Sequence, residues 1–198
     1  LKGLIMMINE IIFQNRIETL KAFRCLNPAI IDKIADILKT QDEWGLLRIN
    51  PLSFAEKHGV EEKACVDVFI HGAKIGLFDF SYNMLCPICG GIVNIHYELD
   101  ELEEENFYCS LCNVNVPTIL DEQVEVTFTI HPDIKALQID PLKHIENYDR
   151  YYFSENYVKT EEILAFSKNS IKGLGVLKSD ETFTMDIAGD SEHAYQFV

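Results

Sequence analysis

The chain has 198 residues and a mass of 22.7 kDa, 47% hydrophobic and 25% charged, enough to bury a core and far from a disordered, collagen-like or coiled-coil composition. A net charge of -15 and a sequence pI of about 4.7 weigh against nucleic acid and anionic membranes as partners, since both require Lys and Arg to displace counterions. The best apolar stretch, Leu4 to Phe13, contains Asn9 and Glu10 and falls short of the roughly 18 apolar residues of a membrane span, so none is expected.

Lys2 ahead of Leu4 to Ile8 has the charge of a signal-peptide start, but no small-residue cleavage site follows, and the stretch reads as mature sequence. Leu4, Ile5, Ile8, Ile11, Ile12, Ile17 and Leu20 recur at helical spacing and predict an opening amphipathic helix. Asn27-Pro28 is an N-cap followed by proline at the first helical position. Ile30, Ile31, Ile34, Ala35, Ile37 and Leu38 then form the buried face of a second helix ending near Thr40. Trp44 and a short run from Leu46 to Ile49 precede a repeat of the cap-plus-proline signal at Asn50-Pro51, which opens a short helix through Lys57. A turn at Gly59 separates it from a longer helix over about Glu61 to Ile75.

Gly76 ends that helix, and Leu77-Phe78-Asp79-Phe80 alternates as a strand does, so residues 1–80 are expected to be helical and winged-helix-like. A DNA-reading helix offers Arg, Lys, Asn or Gln to base edges, whereas Glu61 to Ile75 carries Glu61, Glu62 and Asp67 against Lys63 and Lys74. The helices therefore read as a packing or protein-contact module. Cys25 and Cys65 stand among apolar neighbours as small core residues, and His58 and His71 receive no chemistry.

Cys86-Pro-Ile-Cys89 and Cys109-Ser-Leu-Cys112 are two C-x-x-C pairs with nineteen residues between them, within the spacing of a four-cysteine zinc site. Each pair turns two thiolates toward one ion. Gly90 and Gly91 supply the left-handed backbone such a knuckle needs, and Asn113 does so at the second pair. Val93, Ile95, Tyr97 and Leu99 alternate with Asn94, His96 and Glu98, a strand with one buried face, so residues 81–130 read as a zinc ribbon and a following strand. A rubredoxin-like iron site and a disulfide are the rivals. Six cysteines without a leader point to a reducing, cytoplasmic setting, where paired thiols hold metal, and four thiolates leave Zn²⁺ no open position for catalysis. His96-Tyr-Glu98 followed by Cys109-x-x-Cys112 imitates a nucleobase deaminase, but no Pro precedes Cys109 and too few residues separate the halves.

Charge is unevenly placed. Residues 1–80 carry ten Lys and Arg against eleven acids, 81–130 none against nine, and 131–198 seven against twelve. The acidic run from Glu98 to Asn106 reads as a solvated loop. Val124, Val126, Phe128 and Ile130 alternate with Glu125, Thr127 and Thr129 as a half-buried strand. Residues 131–198 are expected to be β-rich and cut short, with a hairpin over Thr182 to Ile187 and Ala194 to Val198, and with Tyr148, Tyr151, Tyr152, Phe153 and Tyr157 as wall or core aromatics. Gly173-Leu-Gly175 lacks a P-loop lysine, and no nucleophile-base or paired-carboxylate motif stands out, so the chain is expected not to be an enzyme.

The run from Gly76 to Gly91 (GLFDFSYNMLCPICGG), the knuckle at Cys109 to Cys112, and the run from Leu120 to Pro132 (LDEQVEVTFTIHP) resemble a zinc-ribbon-containing N-terminal domain, of uncharacterised role, that precedes class III adenylate/guanylate cyclase domains in bacterial proteins. The resemblance spans roughly residues 25 to 198 and is most specific over 76–132. It implies a regulatory module, with a cyclase domain and its metal-binding aspartates beyond Val198. The expectation is an α+β chain with structural zinc on Cys86, Cys89, Cys109 and Cys112, acting as a non-catalytic regulatory or partner-binding module. Its partner would be another protein or an output domain in cis, with room for a small ligand. The alternative is a winged-helix plus zinc-ribbon transcription regulator that binds DNA.

Overall fold

The computed structural model describes residues 8–98, 106–117, 123–143, 145–154, 182 and 184. Helix α1 (Glu10–Lys21) is capped by Asn9, whose side chain accepts from the Ile12 N–H at 3.3 Å. Its buried positions are Phe13, Ile17 and Leu20, one face at i, i+4 and i+7. Ile11, expected on that stripe, is 76% exposed, and the start of the stripe expected from Leu4 lies outside the described residues. Helix α2 (Pro28–Thr40) begins at the predicted cap, Asn27 accepting from the Ala29 N–H at 3.0 Å, and buries Ile31, Ile34, Ala35 and Leu38. A 3₁₀ turn at Trp44–Leu46 leads to Ile49.

Helix α3 (Pro51–His58) is capped by Asn50, which accepts from the Leu52 and Ser53 N–H groups. It ends at Gly59, whose φ of 59° is the left-handed conformation expected of a C-terminal glycine. Helix α4 (Glu62–Lys74) follows, capped by the Glu61 carboxylate. The strands are β1 (Phe78–Leu85), β2 (Ile92–His96), β3 (Asn106–Cys109), β4 (Val114–Pro117) and β5 (Val124–Ile130), and a fifth α-helix, α5 (Ile145–Tyr152), comes last. The fold class is α+β: β2, β1 and β5 form one sheet in that order, and β3 and β4 form a separate antiparallel pair.

The described residues fall into two compact units. The first draws on residues 1–84, 94–103 and 124–139; the second on 85–93, 104–123 and 140–198.

The core of the first unit forms where α1, α2 and α4 meet the sheet. Antiparallel pairing of β1 with β5 sets Phe78 opposite Ile130 and Phe80 opposite Phe128. Phe69 of α4 stacks on Phe78 with ring centroids 4.6 Å apart and meets Phe54 edge-on at 5.3 Å and Phe128 at 5.4 Å. Each such ring pair adds about 0.5–1.5 kcal/mol beyond the area it buries. Ile49 extends the sheet by exchanging both backbone bonds with Phe128, at 2.7 and 2.9 Å.

The other face of β1 and β5 differs from the half-buried strand expected. Ser81, Asn83 and Thr127 are nearly fully buried, while Val126 is 36% exposed. Thr127 Oγ1 lies 3.0 Å from Ser81 Oγ and accepts from Asn83 Nδ2 at 3.2 Å, which offsets the cost of burying these groups. Asn50 Nδ2 donates to Glu125 Oε1 at 3.2 Å, so the residue that caps α3 also ties that helix to β5. In β2 the expected alternation inverts at its end: His96 is buried and Tyr97 is 64% exposed, because the strand stops at His96 and the chain bends away.

Within 131–198 the described residues hold a helix rather than strands. Of the hairpin expected over 182–187 and 194–198 all but residues 182 and 184 lie outside the described residues, as do the acidic run over 99–105 and Tyr157.

Gly72, inside α4, tests which of two opposed effects is larger. Alanine there would gain about 1 kcal/mol of helix propensity. Its Cβ, however, would lie 2.8 Å from two atoms of the Phe78 ring, which Phe69 and Phe128 hold in place. Overpacking of this kind costs about 1–3 kcal/mol, so Gly72→Ala is expected to lower the urea midpoint with an unchanged m-value. A midpoint at or above that of the parent protein would contradict this packing.

Candidate metal centre

Two short turns, each built on strand ends, deliver the four thiols. Cys86 follows the last residue of β1 and opens a turn in which the Gly90 N–H donates to the Cys86 carbonyl and the Cys86 N–H donates to the Gly91 carbonyl, both at 2.8 Å. Gly90 sits at φ 70°, a conformation that costs a residue with a Cβ about 1–2 kcal/mol. Gly91, expected to be left-handed as well, has no positive φ. It is needed for closeness, since a Cβ there would lie 3.0 Å from Leu111 Cδ1 and 3.3 Å from Cys89 Sγ.

The second turn closes the hairpin of β3 and β4, whose last pair is Cys109 with Val114, so Cys109 and Cys112 stand at its tip. Asn113 takes the left-handed conformation expected of it, at φ 55°, and its side-chain oxygen accepts a short hydrogen bond from the Tyr108 hydroxyl.

Cys86 and Cys112 sulfurs are 3.9 Å apart, those of Cys89 and Cys109 3.8 Å, and all four lie within 4.8 Å of one another. A tetrahedral ion with metal–sulfur bonds of about 2.3 Å has sulfur–sulfur edges of about 3.8 Å, which these two pairs match and the full set of four approaches. Cys86, Cys89 and Cys109 are buried and Cys112 half-buried. Burial pushes the Cys89 thiol well above its usual range and the Cys112 thiol up to about 12. At Cys86 burial also opposes ionisation, but the N–H groups of Cys89 and Ile88 together with the thiols of Cys109 and Cys89 outweigh it and lower the pKa. A largely buried set of four soft donors suits a metal that neutralises thiolate charge. Among the described residues, these four are the metal-ligating group close enough to share one ion.

Of the aromatics expected as wall or core residues, Tyr148, Tyr151 and Tyr152 lie on helix α5. Tyr148 and Tyr152 rings are 4.4 Å apart, one helical turn on, and the chain leaving α5 reaches the first knuckle, where Phe153 forms a β-bridge with Gly91. Ser154 N–H donates to the Gly90 carbonyl at 3.4 Å.

The remaining cysteines and histidines divide. Cys65 is the core residue expected, its thiol pushed up to about 12 by burial and, secondarily, by Glu61. Cys25 is not: it is exposed, and its sulfur lies 3.6 Å from His71 Nε2. His58 packs against Phe54 at 4.5 Å, and its pKa is lowered by burial and then by Lys57 and Lys33. No sequence pattern pairs Cys25 with His71; only the packing of α4 against the α1–α2 connection does.

The fold and this cluster together define an α+β protein with four cysteines at metal-binding distance. Residues 13–186 match the model of a family of unknown function, DUF5939, and the chain belongs to that family. No curated protein and no solved structure matches it. No helix among the described residues is long and apolar enough to cross a membrane.

Gly90→Ala places a Cβ at φ 70° in the first turn. It is expected to cost the metal-loaded protein about 1–2 kcal/mol, read as a lower denaturant midpoint, with the chelator concentration needed to strip the metal falling in parallel.

Proposed function

We propose that the chain is a non-catalytic regulatory or partner-binding module, stabilised by zinc, that forms the N-terminal part of a cytoplasmic signalling protein of the adenylate/guanylate cyclase type. The observation that carries the metal part is the clustering of the Cys86, Cys89, Cys109 and Cys112 sulfurs within 4.8 Å of one another. Two thiol-bearing turns next to strands are the arrangement of a zinc ribbon, and four thiolates leave Zn²⁺ no site for water, which favours a structural over a catalytic ion. All six cysteines are unbridged, in keeping with a reducing compartment. The signalling part rests on the resemblance of residues 76–132 to the domain that precedes class III cyclases.

Connectivity supports the winged-helix reading. The order is α2, the short Ile49 bridge, α3, turn, α4, β1 and β5, with Ile49 paired to β5 and β5 to β1. Residues 85–123 then occupy the chain position of the wing, and they contain neither Lys nor Arg. On α4, Lys63 is taken up by Asp67 at 2.6 Å. A metal with four thiolates would add a net charge of about -2. Field and helix chemistry both favour a protein partner, or a small ligand, over DNA.

Metal analysis of protein made without added zinc is expected to give one zinc per chain, with Cys109→Ser losing the ion and the fold of the second unit. Binding requires thiolates, and burial holds Cys89 and Cys112 protonated in the absence of metal, so zinc affinity is expected to fall as pH falls. A stoichiometry far below one would overturn the metal assignment. A titration with mixed-sequence duplex DNA at low salt is expected to show no micromolar binding; salt-sensitive binding would favour the transcription-regulator reading.

A further inference from the structure

The connection between α1 and α2 sets Cys25 at the surface beside α4, with its sulfur 3.6 Å from His71 Nε2. The other ring nitrogen, His71 Nδ1, lies 2.7 Å from the Asp67 carbonyl oxygen. A carbonyl oxygen can only accept, so Nδ1 carries the proton and Nε2 of the neutral ring turns its lone pair to the thiol. The Phe23 ring, nearly perpendicular to the imidazole at 5.0 Å, holds it from the side. Nucleophile, base within reach and a third group fixing the base's tautomer are the parts of an activated thiol. Cys25 also borders a cleft of about 190 Å³, floored by Leu26, Ile30 and Val68 and rimmed by Glu61, Lys63 and Asp67. That space is many times what a single water needs, enough for one arm of a small disulfide. Cys65, by contrast, is buried beyond reach.

We propose that Cys25 is a thiol–disulfide exchange site, with His71 as its base, that takes a low-molecular-weight disulfide of the glutathione or cystine class. His71 Nε2 accepts the thiol proton, and the Cys25 sulfur attacks one sulfur of the small disulfide. The S–S bond of that molecule breaks, its electron pair leaving on the departing sulfur, which takes the proton back from the imidazolium. Cys25 ends oxidised in a mixed disulfide, and one half of the reagent ends reduced as a free thiol. The exchange is reversible by excess small thiol and does not depend on the identity of the metal.

The test treats the metal-loaded chain with glutathione disulfide and follows it by intact mass and peptide mapping. One adduct is expected, on Cys25, with none in Cys25→Ser. An ordinary thiol is only about 3% ionised at pH 7, so removing the base in His71→Gln is expected to slow the reaction about tenfold at pH 7. The gap should close near pH 10, where thiols ionise unaided. Independently of any variant, native Cys25 is expected to react faster at pH 7 than Cys25 of the same chain unfolded in urea. A native rate at or below the unfolded one, equal rates for His71→Gln and parent at pH 7, or a first adduct on another cysteine would each overturn the proposal.

Discussion

The antiparallel pairing of β1 with β5 is the constraint on which the first unit depends. Its register places Phe80 opposite Phe128 and Ser81 opposite Thr127, so each strand sends aromatic side chains to one face and hydroxyl or amide groups to the other. A slip of one residue would exchange the two sets, carrying Thr127 and Thr129 into the aromatic core and Phe128 onto the polar face. Phe69, Phe78 and Phe128 on one side and Ser81, Asn83 and Thr127 on the other therefore specify the same register from opposite directions. Ile49 and Asn50 add to it from a third segment, through the backbone exchange with Phe128 and the amide bond to Glu125.

That pairing also closes a long excursion. Between the end of the first unit's opening segment at Met84 and β5 at Val124 the chain returns to that unit only over residues 94–103, and the residues between carry all four cysteines of the candidate metal centre. The strands around that centre are four or five residues long, and segments of this size bury too little apolar surface to hold themselves together. Beside them stand four sulfurs close enough to share one metal ion, of which burial keeps those of Cys89 and Cys112 from ionising alone. The two units thus differ: aromatic packing with a matched polar face in one, four sulfurs at metal-binding distance in the other.

Local signals in this chain were strong where one residue type answers one backbone demand. Asn27-Pro28 and Asn50-Pro51 start helices because a side-chain oxygen caps the first N–H groups and proline lacks one to leave unpaired. Gly59, Gly90 and Asn113 take positive φ because few other residues do so cheaply. The two C-x-x-C pairs, at a spacing suited to one ion, announced the metal centre for the same reason: the requirement is local to each turn. The family match over residues 13–186 places the chain in DUF5939 without adding a role.

What escaped the reading of residues in order were relations between distant segments. Thr127 looked like the wet face of a strand, and its burial came from polar partners on β1, 44 and 46 residues away. Ile11 matched the apolar period of α1 yet faces water, because Phe13, Ile17 and Leu20 already fill that interface. The α5 tyrosines pass for strand or wall aromatics until their helical spacing is seen. Cys25 and His71, each unremarkable alone, become an acid–base pair only once α4 packs beside the α1–α2 connection. Periodicity tells which side of an element is apolar, and capping tells where it starts. Which groups meet across the interior depends on how the elements pack, and that is a property of the folded chain.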